Sequence, residues 1–166
     1  MSAALAPPFV VASLVLCVAG VLKLRAPAGA AGALHAGASV VRSLAVGEVA
    51  LGAACAVDPT RSLAVALALV YGLFAAVAVV LMRRRVACGC LGDNGFPVTA
   101  GHSIASATLG TLVLAAAVAG PRGLGWVLGQ PTPQAAALSI GIAGALYATV
   151  LVYTVVPRAW GAWVRP

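Results

Sequence analysis

The stretch from Ser62 to Met82, SLAVALALVYGLFAAVAVVLM, carries no charge and is bounded by Arg61 on one side and by Arg83, Arg84 and Arg85 on the other. A hydrocarbon core of about 30 Å takes roughly 20 apolar residues to cross as a helix. Lipid offers the backbone no hydrogen-bond partner, so a helix is the form such a stretch must adopt. Working outward, the same reading applies four more times. A first span runs from about Pro8 to Leu22 and stops at Lys23 and Arg25. A second lies between Arg42 and Asp58. It is short if it begins at Ser43, so the Ala-rich segment after Pro27 is expected to supply part of the same helix or an interfacial lead-in. A fourth runs from about Ser103 to Ala119, closed by Gly120 and Pro121. After a Gly- and Pro-rich linker from Arg122 to Pro133, a fifth runs from about Gln134 to Val156 and ends at Pro157 and Arg158.

Composition points the same way. Hydrophobic residues make up 63% of the 166 and charged residues 8%, too few to cover a water-facing surface. The spans follow one another too closely for a second module, so one integral membrane domain over 1–166 is expected. The net charge of +7 raises nucleic acid as a partner. The basic residues sit at the ends of apolar segments, however, with no aromatic-studded groove, so the partner they imply is the lipid bilayer and not nucleic acid. The N-terminus lacks the basic region of a signal peptide, and Leu14 to Cys17 makes a poor lipoprotein site; the first span reads as a retained anchor.

Orientation is set by where Lys and Arg fall. With the N-terminus outside, Lys23, Arg25, Arg42, Arg83, Arg84, Arg85, Arg158 and Arg165 collect on one side and Arg61 and Arg122 on the other. That asymmetry puts the C-terminus and the loop from Arg83 to His102 inside.

The chemistry concentrates in that loop, which reads Arg83-Arg84-Arg85-Val86-Ala87-Cys88-Gly89-Cys90-Leu91-Gly92-Asp93-Asn94-Gly95. Two thiols one glycine apart approach bonding distance only if the backbone bends, and Gly89 makes the bend cheap. A strained disulfide is readily reduced, which suits a bond meant to be exchanged. The neighbouring arginines favour thiolate over thiol, although a run of arginines after a span is first of all a topology anchor. Cys88 and Cys90 are therefore the candidate redox pair. His102, at the start of the fourth span, is a candidate proton donor and acceptor for thiol exchange, or else a polar helix-start residue. Cys17, roughly 9 Å deeper than Lys23 along a helix, is either a resolving thiol or core packing. Cys55 is expected to be packing alone. Four cysteines permit three pairings, so connectivity stays open.

Glu48 stands inside an apolar helix, where a lone carboxylate demands a partner. Lys23 and Arg42 are the candidates. The pair either locks the first helix to the second or handles protons or substrate. Cys88, Cys90, Asp93 and His102 also allow a mixed metal-ligand set, but the spacing is not one of the strong zinc signatures, and no bound metal is expected. Phosphate-cradling loops, Ser-His-Asp patterns, H-E-x-x-H and dinucleotide fingerprints are missing from the sequence.

The Lys23-Leu24-Arg25 ending of the first span, Glu48 in the second, and Cys88-Gly89-Cys90-Leu91-Gly92 followed by a helix opening at His102 resemble the MauE branch of the DoxX-like membrane proteins. The likeness covers roughly residues 8–120, and its most specific part is the C-x-C-[FL]-G loop. It implies an all-α, polytopic membrane helix bundle in a bacterial-type cytoplasmic (inner) membrane, with a four-helix core over 1–120. The linker and fifth span, 121–166, extend beyond that core. The resemblance implies a thiol-disulfide oxidoreductase with Cys88 and Cys90 as its redox-active pair, working with a thioredoxin-like protein or a disulfide-containing client. Electrons would continue to that partner or to a quinone. In methylamine utilisation such proteins are thought to help form the disulfides of an exported dehydrogenase. The charge count instead places the C-x-C loop inside, so either the topology differs from the charge count or electrons pass between cytoplasm and membrane. Two other classes remain open: a non-catalytic assembly subunit, and a soft-metal-ion transporter or binder using Cys88, Cys90 and Cys17.

Overall fold

The computed structural model describes residues 2–84 and 98–155. A 3₁₀ turn, Ser2–Leu5, leads into α1 (Ala6–Arg25). Then follow α2 (Pro27–Leu34), α3 (Ala38–Val57), α4 (Arg61–Arg84), α5 (Ala100–Ala119), α6 (Leu124–Leu128) and α7 (Thr132–Thr154). Among the described residues there is no strand. Five of the helices are long and apolar enough to cross a membrane, so the chain is an all-α polytopic bundle.

Boundaries follow local chemistry. Pro7 and Pro8 sit in the first turn of α1, where a missing N–H costs nothing. Lys23 and Arg25 fall inside that helix instead of beyond it. Pro27 then forces Ala26 out of the helical region, to φ −134° and ψ 72°, which ends α1 and starts α2. The Ala-rich segment after Pro27 does not continue into the second span. His35 adopts the left-handed conformation (φ 51°, ψ 39°) and closes α2 through bonds to the Ala31 and Gly32 carbonyls. Freed from α2, α3 begins at Ala38, earlier than Ser43, and reaches full membrane length by itself.

Alternating spans bring the ends of α1, α4 and α7 together with the starts of α3 and α5. α1 packs along α3, and α4 along α5. Glycines set the first of these seams: a Cβ on Gly52 would lie 2.6 Å from the Ser13 carbonyl oxygen, and one on Gly20 would lie 2.7 Å from that of Ala45. Neither position has room for any side chain. Small-residue spacing, uninformative in so Ala-rich a sequence, turns out to set how closely these two backbones approach. Tyr71 ties α4 to α1 by donating its hydroxyl proton to the Ala12 carbonyl at 2.7 Å.

α1 is the central helix, with Phe9, Val10, Ala12, Leu16 and Ser13 fully enclosed. α7 lies at the periphery, where Ile142 is its one buried residue. Outward-facing Leu69, Leu73, Ile104, Val118 and Ile140 are more than half exposed. Apolar exposure on that scale is what a lipid-facing surface requires. At the end shared by α2 and the close of α4, Ala33, Ala78, Leu81 and Val98 form a small separate core.

Candidate functional site

The polar centre of the bundle is an ion pair. Lys23, near the end of α1, points its ammonium back into the bundle and meets Glu48 Oε1 at 2.5 Å; the two side chains are 9% and 11% exposed. The ammonium also sits 4.6 Å from the centroid of the Phe74 ring on α4, a cation–π contact that helps hold the charge away from water. Because α3 starts at Ala38, Glu48 lies roughly 15 Å along that helix, deeper than a start at Ser43 implied. Of its two candidate partners, Lys23 is the one bonded. Arg42 is exposed, since six helical positions separate it from Glu48 and turn the two side chains about 120° apart.

Only half of the carboxylate is satisfied. Glu48 Oε2 is sealed from solvent and has no hydrogen-bond partner among the described residues. Beside the pair, a cavity of about 460 Å³ opens between α3 and α4, walled by Val41, Val70, Val77 and Leu73 and reaching Lys23 and Glu48. Gly47 contributes to its width, because a Cβ there would meet nothing within 4 Å. On the other side of Lys23, a smaller void of about 30 Å³ touches Tyr71, Phe74, His102, Ser106 and Tyr153, enough for a water or two. The ammonium and the Phe74 ring border both spaces.

His102 is committed to structure at both ring nitrogens. Nδ1 accepts the Thr99 backbone N–H at 3.2 Å while Thr99 caps the helix start in return. With Nδ1 accepting, the proton resides on Nε2, which donates to the Tyr153 carbonyl at 3.2 Å. The Tyr153 hydroxyl continues the network to Ser106 at 2.8 Å. The imidazole thereby clamps α5 to α7 and serves as a capping-box partner where Glu or Gln is usual.

Cys17 and Cys55 are free thiols set in the α1–α3 region. Cys17 donates weakly to the Val49 carbonyl at 3.6 Å, and fully buried Cys55 donates to that of Leu63 at 3.5 Å. The candidate pair Cys88 and Cys90, with Arg85 and Asp93, lies outside the described residues. Among the described residues no group of three or more His, Cys, Asp or Glu could hold a metal ion.

Phe74, Tyr153 and Ser106 were not singled out from the sequence. A tyrosine or serine inside an otherwise aliphatic span is the signal that marks them, since each must find a partner in lipid. No family model, curated protein or solved structure matches the chain.

Proposed function

We propose that the protein is a membrane thiol-disulfide exchange protein, related to the MauE branch of the DoxX-like proteins, in which Cys88 and Cys90 alternate between dithiol and disulfide. In the forward step a Cys88 or Cys90 thiolate attacks a partner disulfide, and the second thiol then displaces the partner. The partner gains two electrons and two protons, and Cys88 and Cys90 are left joined. A thioredoxin-like protein or a disulfide-bearing client fits the partner's role. By the distribution of Lys and Arg, the loop faces the cytoplasmic side of an inner-type membrane and the N-terminus faces outward.

The observation that carries this reading is the placement of the loop's two anchors. Arg84 ends α4 and Val98 precedes α5, at the end of the bundle where Lys23 enters and α2 packs. The segment that carries Cys88 and Cys90 is thus joined to the bundle at its most polar end. The supporting chemistry is that of the sequence Cys88-Gly89-Cys90 beside three arginines.

A Cys90→Ser variant tests it. The surviving Cys88 thiol is expected to trap the partner as a mixed disulfide, visible as a reducible band on a non-reducing gel. A membrane-impermeant maleimide, applied to intact cells before and after reduction, reads sidedness and redox state together. No trapped partner from either single variant, with both thiols permanently reduced in cells, would remove the proposal.

A further inference from the structure

The cavity between α3 and α4 lies between the middle of α4 and its close. Consecutive spans run in opposite directions, so Val41 and Val77 mark the end of the cavity nearest the start of α3 and the close of α4, and Glu48 and Val70 mark its deeper end. Seven helical residues separate the two ends on either wall, a depth of about 10 Å. The way in is sideways. Buried Ala30 of α2 roofs the near end, whereas Leu44, Gly47 and Leu73 on the rims are exposed towards the surrounding lipid. The lining is almost wholly apolar, with the Phe74 ring lying against the Lys23 ammonium at the deep end. Such a space gives water no partners, and left empty it forfeits the dispersion contacts of its walls. An acyl chain entering from the bilayer restores them, and a volume of about 460 Å³ lies within the range of small-molecule sites.

Charge at the same end of the bundle selects the lipid. Arg84 closes α4 seven residues beyond Val77; seven residues make almost two full turns, so it continues the cavity-lining face of α4 about 10 Å further out. Arg25, Arg42 and Arg83 are exposed at this end as well. Of the chain's three acidic residues, Glu48 is bonded to Lys23, Asp58 follows α3 at the opposite end, and Asp93 belongs to the loop outside the described residues. Basic residues above a gap between membrane helices attract an anionic head group. Ser43, on the α3 wall near the start of that helix, adds a hydroxyl able to donate to an ester or phosphate oxygen. We propose that the α3–α4 cavity binds one acyl chain of an anionic phospholipid, whose phosphate lies against Arg84. A zwitterionic lipid fills the same space but brings no net charge to the arginine, so preference for the anionic head separates a site from ordinary bilayer contact. Neither Cys88 nor Cys90 takes part, and the lipid site and thiol exchange therefore stand or fall separately.

The test uses the full chain in phosphatidylcholine nanodiscs doped with a phosphatidylglycerol that carries a diazirine midway along one acyl chain, or with the phosphatidylcholine bearing the same chain. Labelling is expected to concentrate on residues 41–48 and 70–77 over α7, whose exposed length is the reference for ordinary lipid contact. It should be about fivefold stronger from phosphatidylglycerol than from phosphatidylcholine. Gly47→Leu extends into open space and should abolish the excess over α7 while the protein remains monodisperse. Leu73→Trp narrows the entrance from the opposite rim and should do the same. Arg84→Gln should bring the two lipids to parity with the cavity still labelled, whereas Arg61→Gln, at the other end of α4, should leave the preference intact. Labelling no denser in the cavity than on α7, or indifferent to both Gly47→Leu and Leu73→Trp, overturns the proposal. Equal labelling of the wild type by the two lipids, or a preference that survives Arg84→Gln, also overturns it and leaves annular lipid only. A dimeric mass with the cavity shielded from both probes would make the occupant a second copy of the chain and would overturn it too.

Discussion

Towards α1, α3 presents Gly52 and closes to backbone contact; towards α4, it presents Gly47 and leaves a cavity of about 460 Å³. Both glycines belong to the same helix and both lack a side chain, yet one glycine brings two helices together and the other holds a space open. What differs is the opposite wall. Facing Gly52 is the backbone of α1 at Ser13 and Cys17, small enough to advance, whereas α4 turns its larger Val70, Leu73 and Phe74 towards the Gly47 side and cannot. The same helix therefore supplies a rigid flank and a vacant one. Glu48 lies between them, bonded on the rigid side and unpartnered on its other oxygen.

The strongest way to break this contrast is to separate the ion pair. Glu48→Ala or Lys23→Ala strands the opposite charge in an apolar interior and should cost roughly 3–5 kcal/mol, read as a fall in unfolding midpoint in detergent. The double change Lys23→Met with Glu48→Leu should lose less than either single change. A double variant as unstable as the singles would mean the pair positions α1 by more than its charge. Next in size, Gly52→Leu forces α1 and α3 apart and should cost about 1–3 kcal/mol by the same measurement. His102→Ala removes the acceptor of the Thr99 N–H and the bond to the Tyr153 carbonyl, and should cost about 1 kcal/mol, with faster amide exchange at the start of α5. The smallest effect has the opposite sign. Gly47→Ala has open space and gains helix propensity, so it should stabilise by about 0.5–1 kcal/mol. A destabilised Gly47→Ala would show that the cavity is narrower than the geometry says.

Much of the architecture is legible in the sequence, because span existence depends only on hydropathy and bilayer thickness. The first and fourth spans run a few residues beyond their expected limits, since Pro7, Pro8 and Thr99 are compatible with a helix start. The second was harder to delimit, because nothing in the Ala-rich run after Pro27 announces that His35 will turn left-handed and cut it off. The pairing of Glu48 was foreseeable from the cost of a buried carboxylate, but the choice of Lys23 over Arg42 depends on helical phase, which requires the true start of α3. The glycine seam was invisible, since an Ala- and Gly-rich chain offers many equivalent spacings and only the partner helix selects among them. The cavity was invisible for the same reason. The C-x-C pattern of Cys88 and Cys90, outside the described residues, is legible in the sequence alone, because two thiols one glycine apart in a polar loop need no tertiary context to be noticed.

The enclosure of α1 bears on how the molecule is made. Of the five spans it is synthesised first and ends up the most surrounded, 56% of its apolar window being covered against 6% for the last span. During translation it must therefore reside in lipid with every face bare, and Lys23 must stay near the membrane surface until the ribosome has delivered Glu48. The lysine's long, flexible stem suits that interval, holding the charge at the head groups first and swinging it inward once its counter-ion arrives. A cell that slows synthesis between these two residues would lengthen the vulnerable period, and quality-control proteases would meet an orphaned first helix.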